Sequence, residues 1–84
     1  MKVKRRDGSE EEFVREKIVV AIVKAGGRPD IARAIASEIE NMFASRSSVT
    51  SAEIRKEVLS RLQQRDMNTY NSWLDYDKSQ NKAM

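Results

Sequence analysis

The sequence predicts an α+β fold, a small four-helix bundle covered on one side by a three-stranded sheet made of an N-terminal β-hairpin and one further short strand. Three observations lead there. Two short runs flank a turn signal near the start, helical apolar spacings recur through the remainder, and Val49 sits apart between two helical segments. A chain of 84 residues allows one domain. Chains near this length bury only about 60% of the surface they expose unfolded, so the core is small and a bound ligand weighs heavily on stability.

Residues 2–14 contain the two short runs on either side of Asp7-Gly8-Ser9, where Gly accepts positive φ and Asp caps its own loop. A two-residue loop sets Lys4 across from Phe13. A three-residue loop sets Val3 across from Phe13 and Arg5 across from Glu11, and gathers Val3, Arg5, Glu11 and Phe13 on one face, which makes it the preferred register. A lone hairpin is marginal in water, so this one must lie on something apolar.

The first helix spans residues 16–25, with Ile18, Ala21, Ile22 and Ala25 on one stripe and Gly26-Gly27 as its stop. Pro29 suits the first turn of a second helix, whose inner face carries Ile31, Ile35, Ile39 and Met42 with Phe43. Residues 45–48 break the pattern, Val49 supplies the third strand, and Thr50-Ser51-Ala52-Glu53 forms a capping box for a third helix with Ile54, Val58 and Leu62 inward. That helix runs to about Gln64. Asp66 caps a last helix marked by Met67, Tyr70, Trp73 and Leu74, although Asn68, Thr69 and Asn71 are mediocre helix formers, so packing must hold it. The spacing of Tyr70, Trp73 and Tyr76 places these aromatics on one packed face rather than on nucleic-acid bases. The domain is read as residues 1–78 and the charged remainder, 79–84, as a disordered tail.

Composition removes most small-enzyme chemistry. With no His and no Cys there is no thiol nucleophile, imidazole base, disulfide or zinc ribbon, and no catalytic role is expected. The longest apolar run, residues 18–23, is far short of the ~20 residues that span a bilayer, and the basic start lacks a signal-peptide core. The expected location is therefore the cytoplasm, with no membrane partner. Sixteen Lys+Arg against 13 Asp+Glu give a net charge of +3, a mixed surface rather than a nucleic-acid stripe.

The densest constellation is the hairpin and the helix behind it. Lys17 falls in a first helical turn, where partial positive charge already resides, and a cation there asks for an anion. If Arg5 and Lys17 converge they can hold phosphates, with helix amides as further donors; otherwise the segment is a self-compensating charged hairpin. Gly8 stands alone and Gly26-Gly27 precede Arg28-Pro29, so no phosphate-cradling glycine loop exists and a nucleotide must be held by side chains. The Glu10-Glu11-Glu12 run offers no hydrolase pair and reads as a solvated strand end.

Arg5-Arg6-Asp7-Gly8-Ser9, Glu11, Phe13, Lys17-Ile18, the later Val49-Thr50-Ser51-Ala52-Glu53-Ile54 and Tyr70 together resemble the ATP-cone, over residues 3–76. This is the nucleotide-binding regulatory module at the N-terminus of many ribonucleotide reductase large subunits and in the repressor of reductase genes. The resemblance implies a four-helix bundle capped by a three-stranded sheet that binds ATP or dATP, with Mg²⁺ as an open companion. It implies phosphate contacts from Arg5, where the family usually has Lys, and from Lys17, with Arg6 beside them in the first motif. Glu11 would contact the nucleotide through the ribose, and Thr50 would supply a hydroxyl. Val3, Phe13, Ile18 and Ile54 would surround adenine, and the backbone near Val14 would read its edge. Thr50 serves equally as a helix cap, Phe13 as a hairpin anchor, and Ile18 and Ile54 as core.

Neither a reductase catalytic domain nor a zinc ribbon is present in these 84 residues. The chain is read as a freestanding cone, or an excised one, that switches a partner protein or its own association. The partner would be a ribonucleotide reductase or a transcription factor. The alternative is a small helical DNA-binding regulator, which predicts salt-dependent affinity for duplex DNA and indifference to ATP. A purely structural adaptor predicts neither.

Overall fold

The computed structural model describes residues 1–82, with side chains through residue 76. In chain order the elements are β1 (Lys2–Lys4), β2 (Glu10–Glu12), α1 (Arg15–Lys24), α2 (Pro29–Met42), β3 (Ser48–Thr50), α3 (Ser51–Arg65) and α4 (Met67–Lys82). The sheet order is β2-β1-β3, with β1 antiparallel to β2 and parallel to β3. The architecture is the expected α+β, four helices with a three-stranded mixed sheet, and Val49 pairs with Val3 on the central strand. α4 carries its backbone to Lys82, past residue 78 where composition ends the domain; residues 83 and 84 lie outside the described residues. No helix among the described residues is long and apolar enough to cross a membrane.

The hairpin closes in neither expected register. Arg5 N–H donates to the Ser9 carbonyl at 2.8 Å and Gly8 N–H to the Arg5 carbonyl at 3.0 Å, so the loop is Arg6-Asp7-Gly8. Gly8 holds a φ of 89°, the left-handed residue that ends a three-residue hairpin loop. The Asp7 carboxylate accepts from the Ser9 amide at 2.9 Å and the Ser9 hydroxyl at 2.6 Å, which locks the turn. The loop length is as expected, but the glycine's conformation moves the loop one residue earlier. Val3 therefore faces Glu11 instead of Phe13, and Phe13 N–H donates to the Met1 carbonyl at 2.9 Å. Moving the partner by two residues preserves parity, so Val3 and Glu11 still share a face.

The core joins sheet and bundle. Val3 and Val49 are buried beside Ile18, Val19 and Ile22 of α1, Ile35 and Ile39 of α2, and Val58 and Leu62 of α3. On α2 the buried stripe continues from Ile39 to Phe43, four residues on, which leaves Met42 exposed where an inner position was expected. On α1 Val19 is buried and Ala25 only half-buried, because the stripe turns toward α2. On α4 Met67 and Tyr76 are exposed, while Tyr70, Trp73 and Leu74 are half-buried. Thr69 takes the buried place, and its hydroxyl donates to Asp66 Oδ2 at 2.6 Å as its amide donates to Asp66 Oδ1 at 3.1 Å. The poor helix former is thus a satisfied cap partner.

α1 stops as its glycines require. Gly26, with φ 104°, donates its N–H to Val23 at 2.9 Å, and Gly27 donates to Ile22 at 3.0 Å, the paired bonds of a left-handed helix end. Gly27 is needed for a second reason. A Cβ there would stand 2.6 Å from Ile22 Cγ2 and 3.1 Å from the Ile22 carbonyl oxygen.

Ion pairs tie the helices outside the core. Glu38 on α2 accepts from Arg61 Nε at 3.1 Å and Arg65 Nη2 at 2.7 Å on α3. Thr50 and Glu53 form the expected capping box, and Arg46 grips Glu53 with two nitrogens, at 2.9 Å and 3.3 Å. The Arg46 pair, followed by the Thr50 amide, holds the Glu53 carboxyl at about 2, below its ordinary 4.5.

Two outcomes follow. Gly27→Ala should cost about 1 to 3 kcal/mol through overpacking, which thermal unfolding reads as roughly 4 to 8 °C per kcal/mol in a domain this small. A depressed carboxyl contributes stability that is complete above its unfolded pKa and disappears as pH falls through its folded one. For Glu53 that window runs from 4.5 down to about 2, and Glu53→Gln should flatten the fall of the urea midpoint across it.

Candidate functional site

A cavity of about 210 Å³ opens where the hairpin meets α1, α3 and α4. The sheet side is Val3, Glu11, Glu12 and Phe13; α1 and its N-cap supply Val14, Lys17, Ile18 and Ala21; α3 supplies Ser51, Ile54, Arg55 and Val58; Trp73 closes it from α4. Each wall follows from local chemistry. Period-two alternation sends Val3 and Glu11 to the same face. The small side chain of Ala21 leaves room beneath the hairpin. Parallel pairing of β3 with β1 brings the first residue of α3, Ser51, to the cavity.

The mouth is charged while the interior is apolar. Lys17 Nζ donates to Glu11 Oε2 at 3.2 Å, and Arg5 Nη1 lies 3.7 Å from that same oxygen. The strand-end cation and the helix cation therefore do converge, and a carboxylate sits between them. Val14, the N-cap of α1, has no side-chain acceptor for the first-turn amides. α3 also begins at this rim, but its end is closed by the Thr50–Glu53 capping box, so the uncapped positive helix end at the opening is that of α1. Such an opening suits an anion attached to an apolar, planar group. Small-molecule sites usually measure roughly 300 to 1,000 Å³; at about 210 Å³ this cavity is smaller, with room for one planar ring system.

A larger groove of about 610 Å³ lies between α1 and α4, lined by Val20, Lys24, Ser72 and Tyr76 together with Val14, Lys17, Ala21 and Trp73 of the first cavity. It has greater volume, with Lys17 and Lys24 in its lining, and its Glu16 is held by Arg33 at 2.6 Å. Arg5 and Lys17 meet over Glu11 at the smaller cavity, whose wall the groove shares.

Of the residues singled out in the sequence, Val3, Glu11, Phe13, Val14, Lys17, Ile18 and Ile54 line this cavity. Arg5 reaches its mouth through Glu11, whereas Arg6 projects from the exposed turn. Thr50 does not line it: its hydroxyl accepts from the Glu53 amide at 3.1 Å and donates to Glu53 Oε2 at 3.2 Å. Ser51 stands at the cavity instead. Arg55 and Trp73 were not anticipated there. Arg55 lies one residue beyond Ile54 on α3, and Trp73 reaches across from the final helix, a contact no local pattern announces. Among the described residues no group of three or more acidic side chains could hold a metal ion.

The model of one protein family, described as the ATP cone domain, matches residues 1–82. No curated protein matches the chain.

Proposed function

The chain belongs to the ATP-cone family of nucleotide-binding regulatory modules, and from that premise we propose that it binds ATP or dATP beneath the hairpin and so switches a partner protein or its own association. The observation that carries the reading is the meeting of Arg5 and Lys17 at one point on the mouth of an apolar cavity walled by Phe13 and Trp73. Adenine enters between these rings and packs on Val3, Ile18 and Ile54. The triphosphate remains at the mouth, where Lys17, Arg5 and the first-turn amides of α1 meet its charge. Ser51 replaces Thr50 as the hydroxyl nearest the ligand, and Arg55 adds a cation from α3. Mg²⁺, where it accompanies the nucleotide, would be held chiefly by the phosphates.

The family role is regulatory, and nothing in this proposal breaks or forms a covalent bond. Switching requires that two states bind the ligand differently, and for ATP against dATP only the 2′-hydroxyl can supply that difference. Trp73, Lys17 and Ala21 border both the cavity and the larger groove, so a base packed against Trp73 alters that second surface as well. This is a physical route from nucleotide to partner, whether a ribonucleotide reductase, a transcription factor or a second copy. The DNA-binding alternative gains little from the surface. Its cations are largely paired, Lys2 with Glu12, Arg33 with Glu16, and Arg61 and Arg65 with Glu38.

In a thermal-shift series, ATP and dATP at 100 times their dissociation constants should each add about 2.7 kcal/mol, while GTP and duplex DNA leave the midpoint in place. A shift with DNA alone would favour the alternative. Lys17→Ala should weaken ATP binding about tenfold or more, the scale of one charge-assisted hydrogen bond. Its helical circular dichroism should not change, because Lys17 is exposed and Ala is a strong helix former. Calorimetry showing wild-type affinity in that variant would remove the site.

A further inference from the structure

The geometry points to Glu11 as an internal counter-ion, a carboxylate that holds the place of a phosphate oxygen between Lys17 and Arg5 until a polyphosphate displaces it. The inference rests on the nucleotide-site reading above and assigns Glu11 a role other than contact with the sugar. One oxygen, Oε2, serves both cations, at 3.2 Å from Lys17 Nζ and 3.7 Å from Arg5 Nη1. Those cations belong to different elements, the end of the hairpin and the first turn of α1. Without a negative charge between them they would repel and swing into solvent.

Register decides which of three consecutive glutamates does this. Glu11 pairs with Val3 and sets its carboxylate between the two cations, whereas Glu12, although it also borders the cavity, gives its carboxylate to Lys2 Nζ at 2.7 Å. Glu11 is thus aimed by the strand, while its partners are long side chains free to re-aim. Their side chains are 59% and 61% exposed for Arg5 and Lys17, against 35% for Glu11. Pairs this exposed exchange readily, because water and salt already compete for each charge. A phosphate oxygen arriving at the same point makes the same two contacts, and the displaced carboxylate then lies close to the newcomer and repels it. Glu11 therefore keeps the empty site assembled and also lowers its affinity for every anion.

The test compares wild type, Glu11→Gln and Glu12→Gln by calorimetry with inorganic tripolyphosphate and with ATP. Both substitutions remove one negative charge, but only the first removes it from between the cations. Glu11→Gln should bind tripolyphosphate roughly five- to tenfold more tightly, the effect of one nearby screened charge, and Glu12→Gln should stay within about twofold because its carboxylate is already met by Lys2 and does not sit between the cations. Equal gains in both variants would reduce the effect to net charge and overturn the inference. So would an unchanged tripolyphosphate affinity in Glu11→Gln accompanied by weaker ATP binding, which would assign Glu11 to the sugar hydroxyls. Wild type that fails to bind ATP defeats the site itself. Wild type that binds ATP while Glu11→Gln gains nothing for tripolyphosphate defeats the counter-ion alone.

Discussion

The central strand β1 is the constraint on which the rest of the molecule depends. Three residues long, it pairs with β2 on one side and β3 on the other, and its Val3 is sealed between Glu11 and Val49 over the core. An isolated hairpin of this size would be marginal; here its apolar face is buried against the bundle and its second edge is occupied. The consequences are positional. β2 carries Glu11 to the lip of the cavity, and β3 leads directly into α3, so that strand pairing fixes where the α3 N-terminus begins.

From that frame the electrostatics follow. α1 starts at a residue with no capping side chain and puts Lys17 in its first turn beside Glu16, whose carboxylate is held by Arg33, so Lys17 needs a counter-charge from outside the helix. The remedy is Glu11, supplied by the neighbouring strand. Elsewhere the same problem is solved within the fold, as where Glu53 satisfies Thr50 and Arg46 at the start of α3. The contrast separates a carboxylate that accepts from Arg46, the Thr50 amide and the Thr50 hydroxyl, and is strongly depressed, from one shared between two long, exposed cationic side chains.

Helix identities, the sheet's third strand and the capping box at Thr50 were legible because each rests on local chemistry: apolar spacing, glycine stops and a hydroxyl three residues before a glutamate. Hairpin register was not, because it depended on which residue of Arg6-Asp7-Gly8-Ser9 would adopt positive φ, and the expected loop was placed one residue too late. Met42 and Tyr76 were misplaced for a related reason: a helical stripe drifts with each turn, and the partner helix decides which edge of it is buried. At the site, residues adjoining the hairpin were readable from the first motif. Ser51 was passed over for its neighbour Thr50, whose hydroxyl is consumed by capping, and Trp73 arrives from the far end of the chain.

The proposed site puts an adenine nucleotide under the hairpin, its base against Phe13 and Trp73 and its phosphates against Lys17 and Arg5. The most direct measurement is a titration of isotope-labelled protein with ATP, followed by amide and indole chemical shifts. Changes should centre on the Trp73 indole, the amides of residues 11–18 and those of residues 51–55. Saturating shifts confined to the outer faces of α2 and α3, with Trp73 and Lys17 unmoved, would contradict it.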